Sequence, residues 1–423
     1  MSPARPQAAR PTARPTPRLG PRPLALHLGL SLATRWAARM PPPCTPASPS
    51  WNGAWPRSNA GRREAARIAD ALAAAGHPPE AFAAAVERRL LARDLALAEG
   101  ILAYRRHPFR RDLADPPMAW AEGGSRLLDY GGAVGPALLV VPSLINRAAV
   151  LDLLPEASML RHLAGQGLRV LLLDWGMPGP AERCFTLTDY VAGRLRRAIA
   201  AATRIAGQPP VLVGYCMGGM LALAAAQRLP GALRGLALLA TPWDFWAGDA
   251  ARAQSLAATL PLWEPAMQAT GALPVDVLQA LFAALDPAAI GEKFRAFRDL
   301  DPESPQARRF VALEDWLNDG VPLAAPVARE ALGSWYGGNA PLRGAWRIAG
   351  APVTPRSIRL PCFVAIPARD RIVPPSSALA LADRLPAALV HHAAAGHVGM
   401  VAGSAADVVL WRPLLTWIKA LPA

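Results

Sequence analysis

Val211-Leu-Val-Gly-Tyr-Cys-Met-Gly-Gly-Met220 decides how the rest of this 423-residue chain is read. An apolar run, a glycine-flanked bend and an Ala/Leu-rich continuation make it a strand, a turn and a helix in succession. The bend reads Gly214-x-Cys216-x-Gly218, the spacing of a nucleophile elbow with Cys in the place usually held by Ser. Glycines belong there because the nucleophile occupies a strained bend, where flanking side chains would run into the neighbouring strand and helix. Cys216 then stands above the sheet edge at the start of a helix, whose positive end suits an anionic nucleophile. The nearby backbone N–H of Met217 is placed to receive an oxyanion.

A thiol in such a turn needs an imidazole to handle its proton and an acid to orient the imidazole, in the order nucleophile, acid, base. Asp370 follows the apolar run Cys362-Phe-Val-Ala-Ile366, just past a strand's C-terminal end, where active sites of parallel sheets collect. His397 comes next, in Gly396-His-Val-Gly399, after another short strand and before the terminal helix. His391 and His392 compete for the role of base, but they fall inside the predicted strand and point along the sheet faces. His162 sits on a predicted amphipathic helix and His107 in a linker, and neither has a metal-ligand spacing. A second oxyanion donor is expected from Pro142-Ser-Leu-Ile-Asn146, at the backbone of Leu144 or Ile145. Ser143 is discounted as a nucleophile because it lacks the elbow glycines.

Outward from the elbow, apolar runs at 126–130, 137–141, 169–174, 210–213, 235–239, 362–366 and 388–392 read as strands. Helical patterns fall at 155–166, 187–206, 217–228, 376–385 and 405–421. The alternation predicts an α/β protein with a doubly wound, mostly parallel sheet, its core formed by residues 116–242 and 356–423. Between residues 243 and 355 the alternation stops, and Trp-, Leu- and Ala-rich helices form a predicted cap over the site. Residues 61–115 form an N-terminal helical region, two helices broken once at 76–79. Residues 1–60 are expected to be a disordered Arg/Pro-rich arm holding one short apolar segment.

The formal charge of +14 is concentrated at one end, because ten arginines and no acidic residue precede Glu64. The remainder carries only +4, ordinary for a soluble domain, so nucleic-acid binding is not expected. With 52% apolar and 18% charged residues, global disorder is excluded. Cys44, Cys184, Cys216 and Cys362 are scattered, so neither a zinc site nor a disulfide framework is indicated, and a reducing cytoplasm is expected. No stretch reaches the roughly 18–20 apolar residues of a spanning helix. Residues 24–33 are too short for one, and no A-x-A site follows them to mark an export signal.

These residues resemble the polyhydroxyalkanoate synthase family, whose elbow is matched by Gly214-Tyr-Cys216-Met-Gly218-Gly219. The resemblance continues through Val141-Pro-Ser-Leu-Ile-Asn-Arg147, Leu151-Asp-Leu-Leu-Pro155, Leu173-Asp-Trp-Gly176 and the blocks around Asp370 and His397. Asp315-Trp-Leu-Asn-Asp-Gly320 is similar to a segment of the family's cap. The pattern is closest to the short class III catalytic subunit, from which the Arg/Pro-rich N-terminus departs. The resemblance implies the α/β-hydrolase fold and ping-pong acyl transfer, with Cys216 taking the acyl group from a 3-hydroxyacyl-CoA and passing it to a growing polyester. It implies no cofactor or metal beyond the coenzyme A of the substrate. It further implies a homodimer, a second synthase subunit or granule proteins as partners, and a place at the surface of cytoplasmic polyester granules. A Cys-nucleophile hydrolase, either polyester depolymerase or acyl-CoA thioesterase, fits the same triad, and a noncatalytic granule-associated protein is the further alternative.

Overall fold

The runs Ala137–Val141, Val211–Tyr215 and Gly235–Leu239 are buried at every position, which requires a sheet covered on both faces. The computed structural model describes residues 17–38, 58–132 and 135–422. Its central sheet contains β1 (Met118–Glu122), β2 (Ser125–Asp129), β3 (Ala137–Val141), β4 (Arg169–Asp174), β5 (Val211–Tyr215), β6 (Gly235–Leu239), β7 (Cys362–Pro367) and β8 (Ala388–Ala393). They are ordered β1-β2-β4-β3-β5-β6-β7-β8. Neighbours from β4 through β8 pair in parallel, while β1 with β2 and β2 with β4 pair antiparallel. The α/β reading therefore holds, with an antiparallel hairpin at one edge, of which β1 was not expected.

Alternation along each strand divides the core in two. Leu139 and Val141 enter one cluster with the elbow helix Met217–Arg228, whereas Leu138 and Val140 face the other side with Leu414 and Ile418 of the C-terminal helix. The helix expected at 155–166 begins only at Met159, because residues 152–158 form a small hairpin around the buried Asp152. That carboxylate accepts from Ser158, Arg161, Arg111 and Tyr130, and Ser158 in turn caps the helix through the N–H of Arg161. The helices expected at 187–206 and 405–421 both open with π-helical turns, Asp189–Leu195 and Asp407–Trp411.

Residues 243–355 are mainly helical, including Val275–Ala283, Ala289–Arg298 and Pro305–Asn318. Two ladders of two residues each interrupt them, Ala272–Leu273 with Leu323–Ala324 and Arg347–Ile348 with Ala351–Pro352. Two helices, Asn59–Ala75 and Pro79–Arg106, lie ahead of the sheet, and the second packs Leu97, Ile101 and Tyr104 against Phe294 and Phe297.

One expectation needs correction. Residues 17–23, read as part of a flexible arm, are ordered, and the short apolar segment that follows them forms the helix Leu24–Ala38. The physical reason is charge: Arg18 pairs with Asp315 at 2.6 Å, and Arg35 pairs with Glu87 and reaches Asp94. Of the rest of that arm, residues 1–16 and 39–57 lie outside the described residues, and residues 58–60 lead into the helix Asn59–Ala75.

Asp152→Ala would take the carboxylate from Arg161 and Arg111, which keep only the carbonyls of Ala114 and residue 152, and leave the hydroxyls of Ser158 and Tyr130 without their acceptor. Because both arginines are partly exposed, the expected loss is near the lower end of the roughly 3–5 kcal/mol typical of broken buried pairs. Urea unfolding of the two proteins measures it.

Candidate active site

Between β5 and the helix Met217–Arg228, Cys216 has φ 56° and ψ −128°, a conformation that side-chain-bearing residues seldom adopt. Hydrogen bonds pin it there. Its N–H donates to the Leu239 carbonyl at 2.8 Å, and its own carbonyl accepts from the Gly219 N–H at 2.9 Å. The glycines of the motif permit the close approach: a Cβ on Gly218 would lie 2.2 Å from the Val141 carbonyl oxygen, and one on Gly214 would lie 2.4 Å from Cα of Gly219.

Asp370 sits just beyond β7 and is buried. One carboxylate oxygen accepts from the N–H groups of Ile372 and Val373 at 2.8 and 2.9 Å, and the other meets His397 Nδ1 at 2.6 Å. A carboxylate only accepts, so Nδ1 carries the proton of this bond and Nε2 is left free of Asp370, with Cys216 lining the same cavity as the imidazole. His397 lies past β8 and is only 8% exposed. Burial alone would lower its pKa, but the electrostatic influence of Cys216 and the hydrogen bond to Asp370 outweigh it, raising the ring to about 10.

Tyr215, the residue inside the elbow motif, braces this arrangement. Its hydroxyl donates to the His397 carbonyl at 3.3 Å, and its ring lies 5.2 Å from the imidazole. Burial, with the charges of Cys216 and Asp370, keeps that phenol in its neutral form. Two cavities of about 310 and 340 Å³ meet at Cys216. The first contains His397 and Tyr215, and the second Met217 and Tyr336. Burial and the Cys216 charge push the Tyr336 phenol up to about 12.

The expected oxyanion residues are placed unequally. Met217 begins the elbow helix and lines the second cavity, and Ile145 lines both. The side chain of Leu144 is packed in the core and lines neither. The Ile145 N–H donates to Ser143 Oγ at 3.2 Å, so the serine hydroxyl serves its own loop. That loop is also bonded to the cap. Asn146 bridges Gly320, the Val321 N–H donates to the Ile145 carbonyl at 3.2 Å, and the Trp316 indole donates to the Arg147 carbonyl at 2.7 Å.

The remaining titratable candidates lie elsewhere. His391 bonds the Val409 carbonyl at 2.7 Å, His107 the Pro302 carbonyl at 2.9 Å, and His162 approaches Asp407 at 3.6 Å. Burial pushes the Cys362 thiol up to about 12, Cys184 is exposed, and Cys44 lies outside the described residues. Among the described residues no cluster of His, Cys, Asp and Glu is arranged to hold a metal, and no helix is long and apolar enough to cross a membrane. Sequence reasoning missed Tyr215, Tyr336 and the bonds from cap to loop. Only Asp315–Gly320 signalled the last of these, as a motif without a role.

With acid and imidazole hydrogen-bonded and the thiol on the same cavity, the arrangement can perform nucleophilic acyl transfer. A model of the alpha/beta hydrolase fold family matches residues 136–403. Among curated proteins, a "Poly(3-hydroxyalkanoate) polymerase subunit PhaC" of Haloferax mediterranei is 29% identical over 71% of this chain and 63% of its own length. Proteins of the same name from Synechocystis and Allochromatium vinosum are 28% and 30% identical over 67% and 58% of this chain. The matches span 77% and 69% of those two relatives.

His397 is expected to titrate near pH 10, where an unfolded imidazole titrates near 6.5. Its raised value stabilises the fold fully below about pH 6.5, and that contribution is lost as pH rises through about 10. Cys216→Ala removes the influence of the thiol, so the titration should fall toward neutrality. Nitrogen-15 NMR of the labelled imidazole checks both values.

Proposed function

The chain belongs to the poly(3-hydroxyalkanoate) polymerase family of the alpha/beta hydrolase fold, and on that premise we propose that it polymerises 3-hydroxyacyl-CoA thioesters through a covalent intermediate on Cys216. What carries the reading is the imidazole of His397, bonded to the Asp370 carboxylate and facing the cavity that Cys216 also lines.

In the first half-reaction the Cys216 sulfur attacks the thioester carbonyl, and the tetrahedral oxyanion is received by the backbone N–H of Met217 with help from the loop at Ile145. Collapse breaks the bond to coenzyme A, whose sulfur takes the proton held on His397. Exchanging one thioester for another is nearly isoenergetic, which favours Cys over Ser for chain transfer. In the second half-reaction the 3-hydroxyl of an incoming unit gives its proton to His397, oriented by Asp370, and its oxygen attacks the acyl-enzyme. The new ester bond forms as the Cys216 thioester breaks. The cap supports this outcome over hydrolysis, since water reaching the acyl-enzyme would end the chain.

No cofactor beyond the substrate's own coenzyme A is part of the proposal. Its further expectations are a homodimer, association with a second synthase subunit or granule proteins, and a place at the surface of cytoplasmic polyester granules.

Purified protein given 3-hydroxybutyryl-CoA should release coenzyme A and form insoluble polyester. Free 3-hydroxybutyrate as the only product would reject the polymerase reading. Cys216→Ala should lower coenzyme A release by at least about a thousandfold with the circular dichroism spectrum unchanged. An active Cys216→Ala protein would require another nucleophile.

A further inference from the structure

The wall of the nucleophile's cavity draws on residues far from it in the chain: Pro21, Arg22 and His27 line it together with Cys216 and His397. These three residues lie outside the matched span 136–403. The segment carrying them is held down at both ends. At residues 18–22 the Arg18 guanidinium is buried and multiply bonded, to Asp315 at 2.6 Å and to the carbonyls of Tyr104, His107 and Phe109. Arg105 donates to the carbonyls of Leu19 and Gly20 at 2.9 and 3.0 Å, and the Arg22 N–H donates to Asn318 Oδ1 at 2.8 Å. Further along, the helix Leu24–Ala38 is tied down by Ser31 bonding Asp94 at 2.6 Å and by Arg35 bonding Glu87 at 3.0 Å.

Inside this wall His27 is 5% exposed. Its Nε2 lies 3.1 Å from the Arg22 carbonyl, which can only accept, so Nε2 carries the proton. Nδ1 is buried without a partner, and burial lowers the pKa of the ring, so the imidazole is a neutral wall of the cavity.

We propose that residues 17–27 are a strap that completes the nucleophile's cavity, latched by Arg18 on Asp315, and that Pro21 and His27 are specificity-determining residues limiting the bulk of the acyl thioester that reaches Cys216. The substrate class rests on the polymerase reading above, whereas the wall itself rests on the contacts of the strap. Asp315 is the shared point: it accepts from Arg18 and from the Tyr104 hydroxyl at 2.8 Å, and it directly precedes Trp316, which holds the loop of Ile145. The strap is thereby fastened to the same cap helix that braces the catalytic loop.

The test uses the full chain with Cys44→Ser and Cys184→Ser, so that alkylation read by mass spectrometry on the Cys216 peptide is unambiguous. Iodoacetamide is the small probe and pyrenyl maleimide the bulky one. Arg18→Ala removes a charge-assisted bond and should accelerate the bulky probe by roughly tenfold or more, with iodoacetamide little changed. His27→Trp keeps the latch and enlarges the wall, so it should slow the bulky probe while sparing the small one. Bulky-probe rates unchanged in both variants would overturn the strap. Should Arg18→Ala not fold, His27→Trp decides alone, since its latch is intact. In a parallel assay Arg18→Ala should raise coenzyme A release from long-chain relative to short-chain 3-hydroxyacyl-CoA. Altered alkylation with no coenzyme A release from any form would support the strap and reject the polymerase reading instead.

Discussion

A cysteine held in a sparsely populated backbone region carries roughly 1–3 kcal/mol of strain, and at Cys216 the surroundings have to impose it. They do so from both sides. The strand before it is hydrogen-bonded in parallel to β3 and β6, and the helix after it is pressed so close that Gly218 touches the backbone of Val141 and Pro142. A relaxed backbone at this position would have to move a central strand or lift a helix whose residues Met217–Ala226 are all buried. The sheet is therefore the support that fixes where sulfur meets imidazole.

The electrostatics of the site are decided by competition between burial and charge. A histidine as enclosed as His397 would ordinarily be neutral, and the sulfur of Cys216 and the carboxylate of Asp370 reverse that. Asp370 itself is held by two backbone N–H groups, so its carboxylate cannot turn away without leaving them unpaired. In the proposed reaction this raised pKa favours the ring as the carrier of the proton that the leaving group must gain.

Much of this was legible in the order of residues. Strands β3, β4 and β6 have the bounds that their apolar runs predict, because a segment buried on both faces writes its burial directly into composition. The elbow, Asp370 and His397 were legible because each follows a strand end with small residues around it, and the structure brings the three together. What sequence did not disclose depends on distant partners. Residues 17–23 look like a low-complexity arm until Asp315 is seen to receive Arg18. The late start of the helix at Met159 depends likewise on the Asp152 hub, to which Arg111 and Tyr130 contribute from earlier in the chain. The edge strand β1 is exposed or half-buried at every position and pairs on one side only, so its apolar residues show no alternation that marks a strand.

The stitching of Gly320, Val321 and Trp316 to residues 145–147 makes the cap and the catalytic loop mechanically one piece. A hinge that raised Trp316, Gly320 and Val321 as a rigid body would have to break these bonds or carry residues 145–147 away from the thiol with it. On the proposed function, turnover with the roof in place would have reactants thread past its margins. Processivity would then come from architecture: a chain tethered under a roof that stays down has few routes by which to be lost between additions.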